Sequence, residues 1–220
     1  MASTSDYARD TVLAGVRAAL GRRPGELVPP VPALPPRIPP RARGRTDDDM
    51  AMLLDEIGKL GGRTQRVSAD TLRDALSGLV QAEKIRKATL WQTPELMALD
   101  VSVILSSLGV EIIPAQAGKH ALAQCDLGVT GVDLAVPETG TLGLRSSPDR
   151  PRAVSLLPRV HLALVHPESL RADLTTVLQE MRVNPYFMLI TGPSRTADIE
   201  MTVTIGVHGP QVLDVWVVDL

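Results

Sequence analysis

Val160-His161-Leu162-Ala163-Leu164-Val165 is the stretch that decides the fold, because its near-continuous apolar run lacks the alternation of a half-exposed strand. A strand of this kind is covered on both faces, as in a parallel sheet flanked by helices. The amphipathic residues 168–182 then supply the crossover helix that parallel neighbours need. Downstream, residues 186–190 and 212–218 read as further strands. Upstream, residues 47–60 form a helix with Met50, Leu53, Leu54 and Ile57 on one face, closed by Gly61-Gly62. A short strand over 63–67, a helix over 69–82 and a strand over 88–91 follow. Thr93-Pro94-Glu95 opens helical sequence by its N-cap and first-turn proline, running to Gly109 before the strand at 110–113. Residues 127–136 and 141–145 read as paired strands around Glu138-Thr139-Gly140. The expected class is α/β, a mixed and mainly parallel sheet flanked by helices.

An arm precedes this body. Residues 3–21 read as an amphipathic helix with Val12, Leu13, Val16 and Leu20 at helical spacing and Gly21 as its stop. Eight prolines between Pro24 and Pro40 deny a sheet its backbone donors and favour a polyproline II strap or spacer. The expected division is an arm over 1–46 and an α/β domain over 47–220. Residues 1–45 hold eight Arg against three acids, whereas the remainder holds fifteen Lys and Arg against twenty-two acids, so a basic arm precedes an acidic body.

Composition removes several classes of function. Aromatic residues make up 2%, which argues against a nucleic-acid reader that stacks bases on exposed rings. Cys125 is the only cysteine, so no intrachain disulfide, thiolate-held iron–sulfur cluster or cysteine zinc site can be built from this chain. No apolar run approaches the ~18 residues of a membrane span, and the expected location is the cytoplasm. No H-x-x-x-H or H-E-x-x-H spacing points to a metal. The nucleophile elbow, dinucleotide fingerprint and P-loop patterns are missing as well.

Three polar, glycine-bearing segments interrupt apolar sequence and carry the candidate chemistry. In Thr191-Gly192-Pro193-Ser194-Arg195-Thr196-Ala197-Asp198-Ile199-Glu200, a strand ends at Gly-Pro and a helix is expected to start at Ser194 or Thr196. Its free N–H groups, with Arg195 beside them and Asp198 and Glu200 nearby, suit an anion. A packed turn with a surface ion pair is the competing reading. Pro137-Glu138-Thr139-Gly140-Thr141 places a carboxylate and two hydroxyls around a glycine able to take positive φ, or forms a simple turn. His208, within Gly206-Val207-His208-Gly209-Pro210, is the histidine in a flexible turn, while His161 reads as a core residue. Candidate ligand-binding residues are therefore Glu138, Thr139, Gly140, Thr141, Gly192, Ser194, Arg195, Thr196, Asp198, Glu200 and His208. Arg145, Arg150 and Arg152 form a further candidate clamp for paired oxygens, or a solvated loop.

The blocks from Thr130 to Ala135 and Glu138 to Thr141, Ser155-Leu156-Leu157-Pro158, residues 192–200 and 206–210 together resemble the LUD-domain family. The resemblance implies a fold like the NagB/RpiA/CoA-transferase group. It also implies a cytoplasmic component of a three-protein system that oxidises L-lactate to pyruvate, with the iron–sulfur clusters in the partner proteins and no cofactor here. A small carboxylate would be held by Arg195 and the amides of 194–197, bordered by Glu138 and His208. The alternative is acyl transfer with Glu138 as nucleophile, by analogy with CoA-transferases. In a third reading, the arm docks on a partner or on a second copy.

Overall fold

The computed structural model describes residues 4–23, 41–181, 186–197 and 203–219. The expected proline strap lies outside them. Two compact units divide at Pro39/Pro40. The first contains α1 (Thr4–Ala19), on which Val12 and Val16 are exposed, as is Leu20 just beyond it.

The second unit begins with α2 (Thr46–Lys59), β1 (Arg63–Ser68), α3 (Ala69–Glu83), β2 (Lys87–Leu90), α4 (Pro94–Ala98), α5 (Val101–Ser107) and β3 (Glu111–Pro114). There follow α6 (Lys119–Leu122), β4 (Leu127–Gly131), β5 (Leu134–Val136), β6 (Thr141–Arg145), α7 (Ala153–Leu156) and β7 (Val160–Val165). The unit closes with α8 (Leu174–Met181), β8 (Phe187–Ile190), β9 (Arg195–Ala197), β10 (Val203–Ile205) and β11 (Val212–Asp219).

Six strands form one parallel sheet in the order β1-β11-β7-β4-β2-β3. All six residues of β7 are buried, as its apolar run requires. From β2 the chain steps outward to β3, then returns across β2 to β4 and continues to β7 and β11. Strand order therefore reverses between β2 and β4, and a crevice opens beyond the carboxyl ends of these strands. β5, β6 and β8 form a separate antiparallel sheet, and β9 pairs with β10.

Helix α2 buries Met50, Leu53 and Ile57, and α3 buries Leu72, Leu76 and Leu79, each an apolar face at helical spacing. Ser68 and Thr71 form a capping box at the start of α3. Asp49 is fully buried on α2, where it accepts from Arg41 at 2.5 Å and from the Gly44 N–H at 3.0 Å. That pairing fastens residues 41–44 to the first turn of α2 and leaves the buried carboxylate matched.

Four local expectations change. The helix expected over residues 168–182 begins only at Leu174, after a 3-10 turn over Pro167–Ser169. Residues 127–136 do not form one strand. The chain leaves the main sheet after Gly131, and the Asp133 N–H donates to the Gly143 carbonyl at 3.0 Å, which starts the small sheet. The helical segment before Gly109 breaks at Asp100, whose φ is 50°. Beyond Ser194 the chain continues as β9 rather than as a helix. The Ser194 N–H donates to the Pro210 carbonyl at 3.1 Å, its own carbonyl accepts from Gly206 N–H at 2.9 Å, and Arg195 and Thr196 pair with Ile205 and Thr204. β-Branched Thr196 suits that pairing.

Candidate functional site

A cleft of about 390 Å³ lies at the carboxyl ends of β2, β4, β7 and β11, where the strand order reverses. Three chain segments that leave apolar strands through polar residues build most of it. Trp91 and Thr93 follow β2, Gly131 ends β4 and Asp133 follows it, His166, Glu168 and Ser169 follow β7, and Val218 lies near the end of β11. Glu95 and Arg150 complete the charged lining.

Arg150 is the organising side chain. Its Nη2 donates to both carboxylate oxygens of Asp133, at 2.5 and 2.7 Å, and its guanidinium carbon stands 4.9 Å from the centroid of the Trp91 ring. Trp91 is held in turn by its indole N–H, which donates to the Pro151 carbonyl at 3.1 Å. Asp133 also accepts from the Arg145 N–H at 2.7 Å, so the loop from Arg145 to Pro151 is clasped from both sides. The Nε of Arg150 is buried and has no partner among the described residues. An unmatched donor on a fixed guanidinium is an invitation to an acceptor oxygen.

The remaining charges are mostly acidic. Thr93 caps α4, its hydroxyl accepting from the Leu96 N–H at 3.5 Å, and this sets Glu95 at the cleft's edge. A hydrogen bond from its own backbone N–H, then one from the Thr93 hydroxyl, holds the Glu95 carboxyl below its usual range, with Arg150 and His166 adding to the effect. Ser169 donates to the His166 carbonyl through its hydroxyl at 2.7 Å, which fixes the turn carrying His166 and Glu168. Glu95, Asp133 and Glu168 thus face Arg150 and His166 across one concavity.

The residues expected from sequence gather at the other end of the sheet. The hydroxyls of Thr139 and Thr141 lie 2.7 Å apart, and Thr141 meets Thr191 at 2.9 Å. Gly140, at φ 60°, presses on α2 so closely that a Cβ would come within 2.9 Å of the Ile57 nitrogen. Glycine is needed there for helix contact. Gly192, Ser194 and His208 line a cavity of about 160 Å³, while Glu138, Thr139, Thr141, Arg195 and Thr196 line neither cavity. Asp198 and Glu200 lie outside the described residues. The helix N-terminus that was to receive an anion at Ser194 is not there, and the Ser194 amide is already engaged by Pro210.

Sequence reasoning passed over Trp91, Thr93, Asp133, His166 and Glu168, and weighed Arg150 only as part of a loop. Their common signal was available: each falls within a few residues of the carboxyl end of an apolar strand or, for Arg150, in an arginine-rich loop after the small sheet. The buried thiol of Cys125 sits elsewhere, donating to the Ala121 carbonyl at 3.6 Å, and burial pushes its pKa up. Such a thiol is a weak nucleophile.

A parallel sheet flanked by helices, with a polar cleft at its strand reversal, defines the class as an α/β domain. The LUD domain profile matches residues 100–218, more than half of the chain, and the chain belongs to the LUD-domain family. It is 27% identical to lactate utilization protein C of Halalkalibacterium halodurans, covering 92% of this chain and 94% of that protein. It is 36% identical to the protein of the same name from Macrococcus caseolyticus, over 76% of this chain and 77% of that one. A solved DUF162 family protein from Deinococcus radiodurans shares the fold, with a TM-score of 0.59 at 22% identity, covering 80% of this chain and all of that one. These likenesses support a role in lactate utilisation. No helix among the described residues is long and apolar enough to cross a membrane.

Proposed function

We propose that the chain is a cytoplasmic, cluster-free component of an L-lactate utilisation system, whose carboxyl-end cleft holds a small 2-hydroxycarboxylate and whose partners are iron–sulfur proteins. Arg150 carries the ligand reading. Stacked on Trp91 and paired with Asp133, it is already oriented, so a carboxylate meeting the part of the side chain that remains exposed orders little that was free.

A simple carboxylate would gain that contact while facing Glu95 and Glu168 unrelieved. A 2-hydroxy acid does better, because its hydroxyl donates to one of these carboxylates while its own carboxylate lies on Arg150. At ~30 Å³ per water, a cleft of about 390 Å³ holds about a dozen waters, more than a three-carbon acid displaces. The remaining room suits a second reactant or a partner's side chain.

Calorimetric titration with L-lactate tests the reading. Arg150→Ala is expected to weaken binding at least about tenfold, roughly 1.4 kcal/mol, while Arg195→Ala leaves it unchanged. Equal affinity in wild type and Arg150→Ala would remove Arg150 from the site. Co-expression with the iron–sulfur proteins tests the partnership: co-elution, with lactate oxidation only when all are present, supports it, and separate elution argues against it.

A further inference from the structure

At the amino ends of β7 and β11 lies a second cavity, about 160 Å³, which shares no lining residue with the cleft. Two clasped turns cover it, one contributing Gly192 to Ser194 and the other His208 to Pro210, joined by the Ser194-to-Pro210 hydrogen bond. Leu156, Leu189 and Leu213 provide apolar wall, and no Asp, Glu, Lys or Arg side chain lines it.

One lining group is out of balance. His161 is 0% exposed, and its Nε2 lies 2.9 Å from the Thr130 hydroxyl, yet its Nδ1 is buried with no partner among the described residues. Leaving a ring nitrogen unmatched in the interior is costly, and native interiors rarely tolerate it without a purpose. Burial keeps the ring neutral, with its pKa lowered to about 3. The Thr130 hydroxyl can donate to Nε2 or accept from it, and a carboxylate at Nδ1 selects the tautomer in which Nδ1 carries the proton and Nε2 accepts.

We infer that this amino-end cavity is a second ligand site, taking a short monocarboxylate whose oxygens meet His161, Ser194 and His208 and whose hydrocarbon meets the leucines. Positive charge is close by: a Cβ on Gly192 would stand 3.9 Å from Nη2 of Arg195, so the guanidinium borders the turn that covers the cavity. Size restricts the guest. At ~30 Å³ per water, about five waters fill the space, which matches an acid of two to four carbons. With the carboxylate on His161, Ser194 and His208, the acid's hydrocarbon lies against Leu156, Leu189 and Leu213, where an added hydroxyl is disfavoured.

The test uses the full chain carrying Arg150→Ala, which disables the cleft and keeps the two readings apart. Sodium propionate, propionamide and sodium L-lactate are titrated while the ring resonances of His161 are followed by NMR. Propionate is expected to shift them and to bind about tenfold or more tightly than the other two. Leu156→Trp, at a wall position 39% exposed, is expected to fill the cavity, weakening propionate at least about tenfold without lowering the melting temperature. Unmoved His161 resonances, equal binding of propionamide, or undiminished binding in Leu156→Trp would each overturn the inference.

Discussion

At the carboxyl ends of β2, β4 and β7 the chain leaves the sheet through Thr93, Asp133, His166 and Glu168, whereas it enters β7 and β11 through turns built on proline and glycine. The first end presents side-chain charge around an open cleft. The second packs backbone against backbone and leaves a smaller hollow with no Asp, Glu, Lys or Arg in its lining. The difference shows how one sheet divides its ends: charged side chains gather where the strands diverge, and glycines allow close packing where the layers must meet.

The strongest way to break this comparison lies at the packed end. A Cβ on Gly128 would stand 1.9 Å from the Val154 carbonyl oxygen, so Gly128→Ala must push α7 off β4. It is expected to cost about 3 kcal/mol or more, measured by urea denaturation. A loss below about 1 kcal/mol would show that this end yields easily.

Gly140→Ala follows, combining a left-handed backbone with contact on Ile57, and is expected to cost about 1–3 kcal/mol while leaving lactate affinity intact. A fall in affinity greater than the loss of folded protein would return the Glu138–Thr141 turn to the site.

The pH dependence sharpens the contrast further. His161 is held neutral, its folded pKa near 3 against an ordinary value of 6.5, so below pH 6.5 the unfolded chain takes up a proton that the folded chain refuses. Stability present above that pH is lost as pH falls toward 3, approaching about 1.4 kcal/mol per unit. In His161→Asn the slope between pH 6 and 4 should be shallower by nearly one proton. An unchanged slope would mean that the ring is protonated or solvated in the folded protein. The smallest effect belongs to Arg195→Ala, an exposed strand position, expected to alter stability by less than about 0.5 kcal/mol.

How much of this was legible depended on range. β7, β11 and the amphipathic helices α2 and α3 follow from local periodicity, and the structure places them within a residue or two of their expected bounds. The break after Gly131 was not legible. Apolar residues continue on both sides of it, and only the bond from Asp133 to Gly143 moves the chain into another sheet. The fate of Arg195 was hidden for a similar reason: Gly-Pro-Ser introduces a helix or a hairpin equally well until β10 arrives to pair with it.

The cleft was least legible because its members are separated by dozens of residues and meet only through the parallel order of the strands. Arg150 appears as one arginine in a polar loop until Trp91 and Asp133 close around it. The turns at Glu138, Gly192 and His208 drew notice through their glycines, and the structure explains those glycines largely through close packing.

The most direct test follows the two tryptophan indole N–H resonances during titration with L-lactate. Trp91 lies in the cleft against Arg150, and Trp216 is buried in the sheet on β11. A saturable shift of the Trp91 signal, with Trp216 little moved and the response lost in Arg150→Ala, is the expected result. A Trp91 signal that stays in place while lactate binds would contradict the assignment of the carboxyl-end cleft.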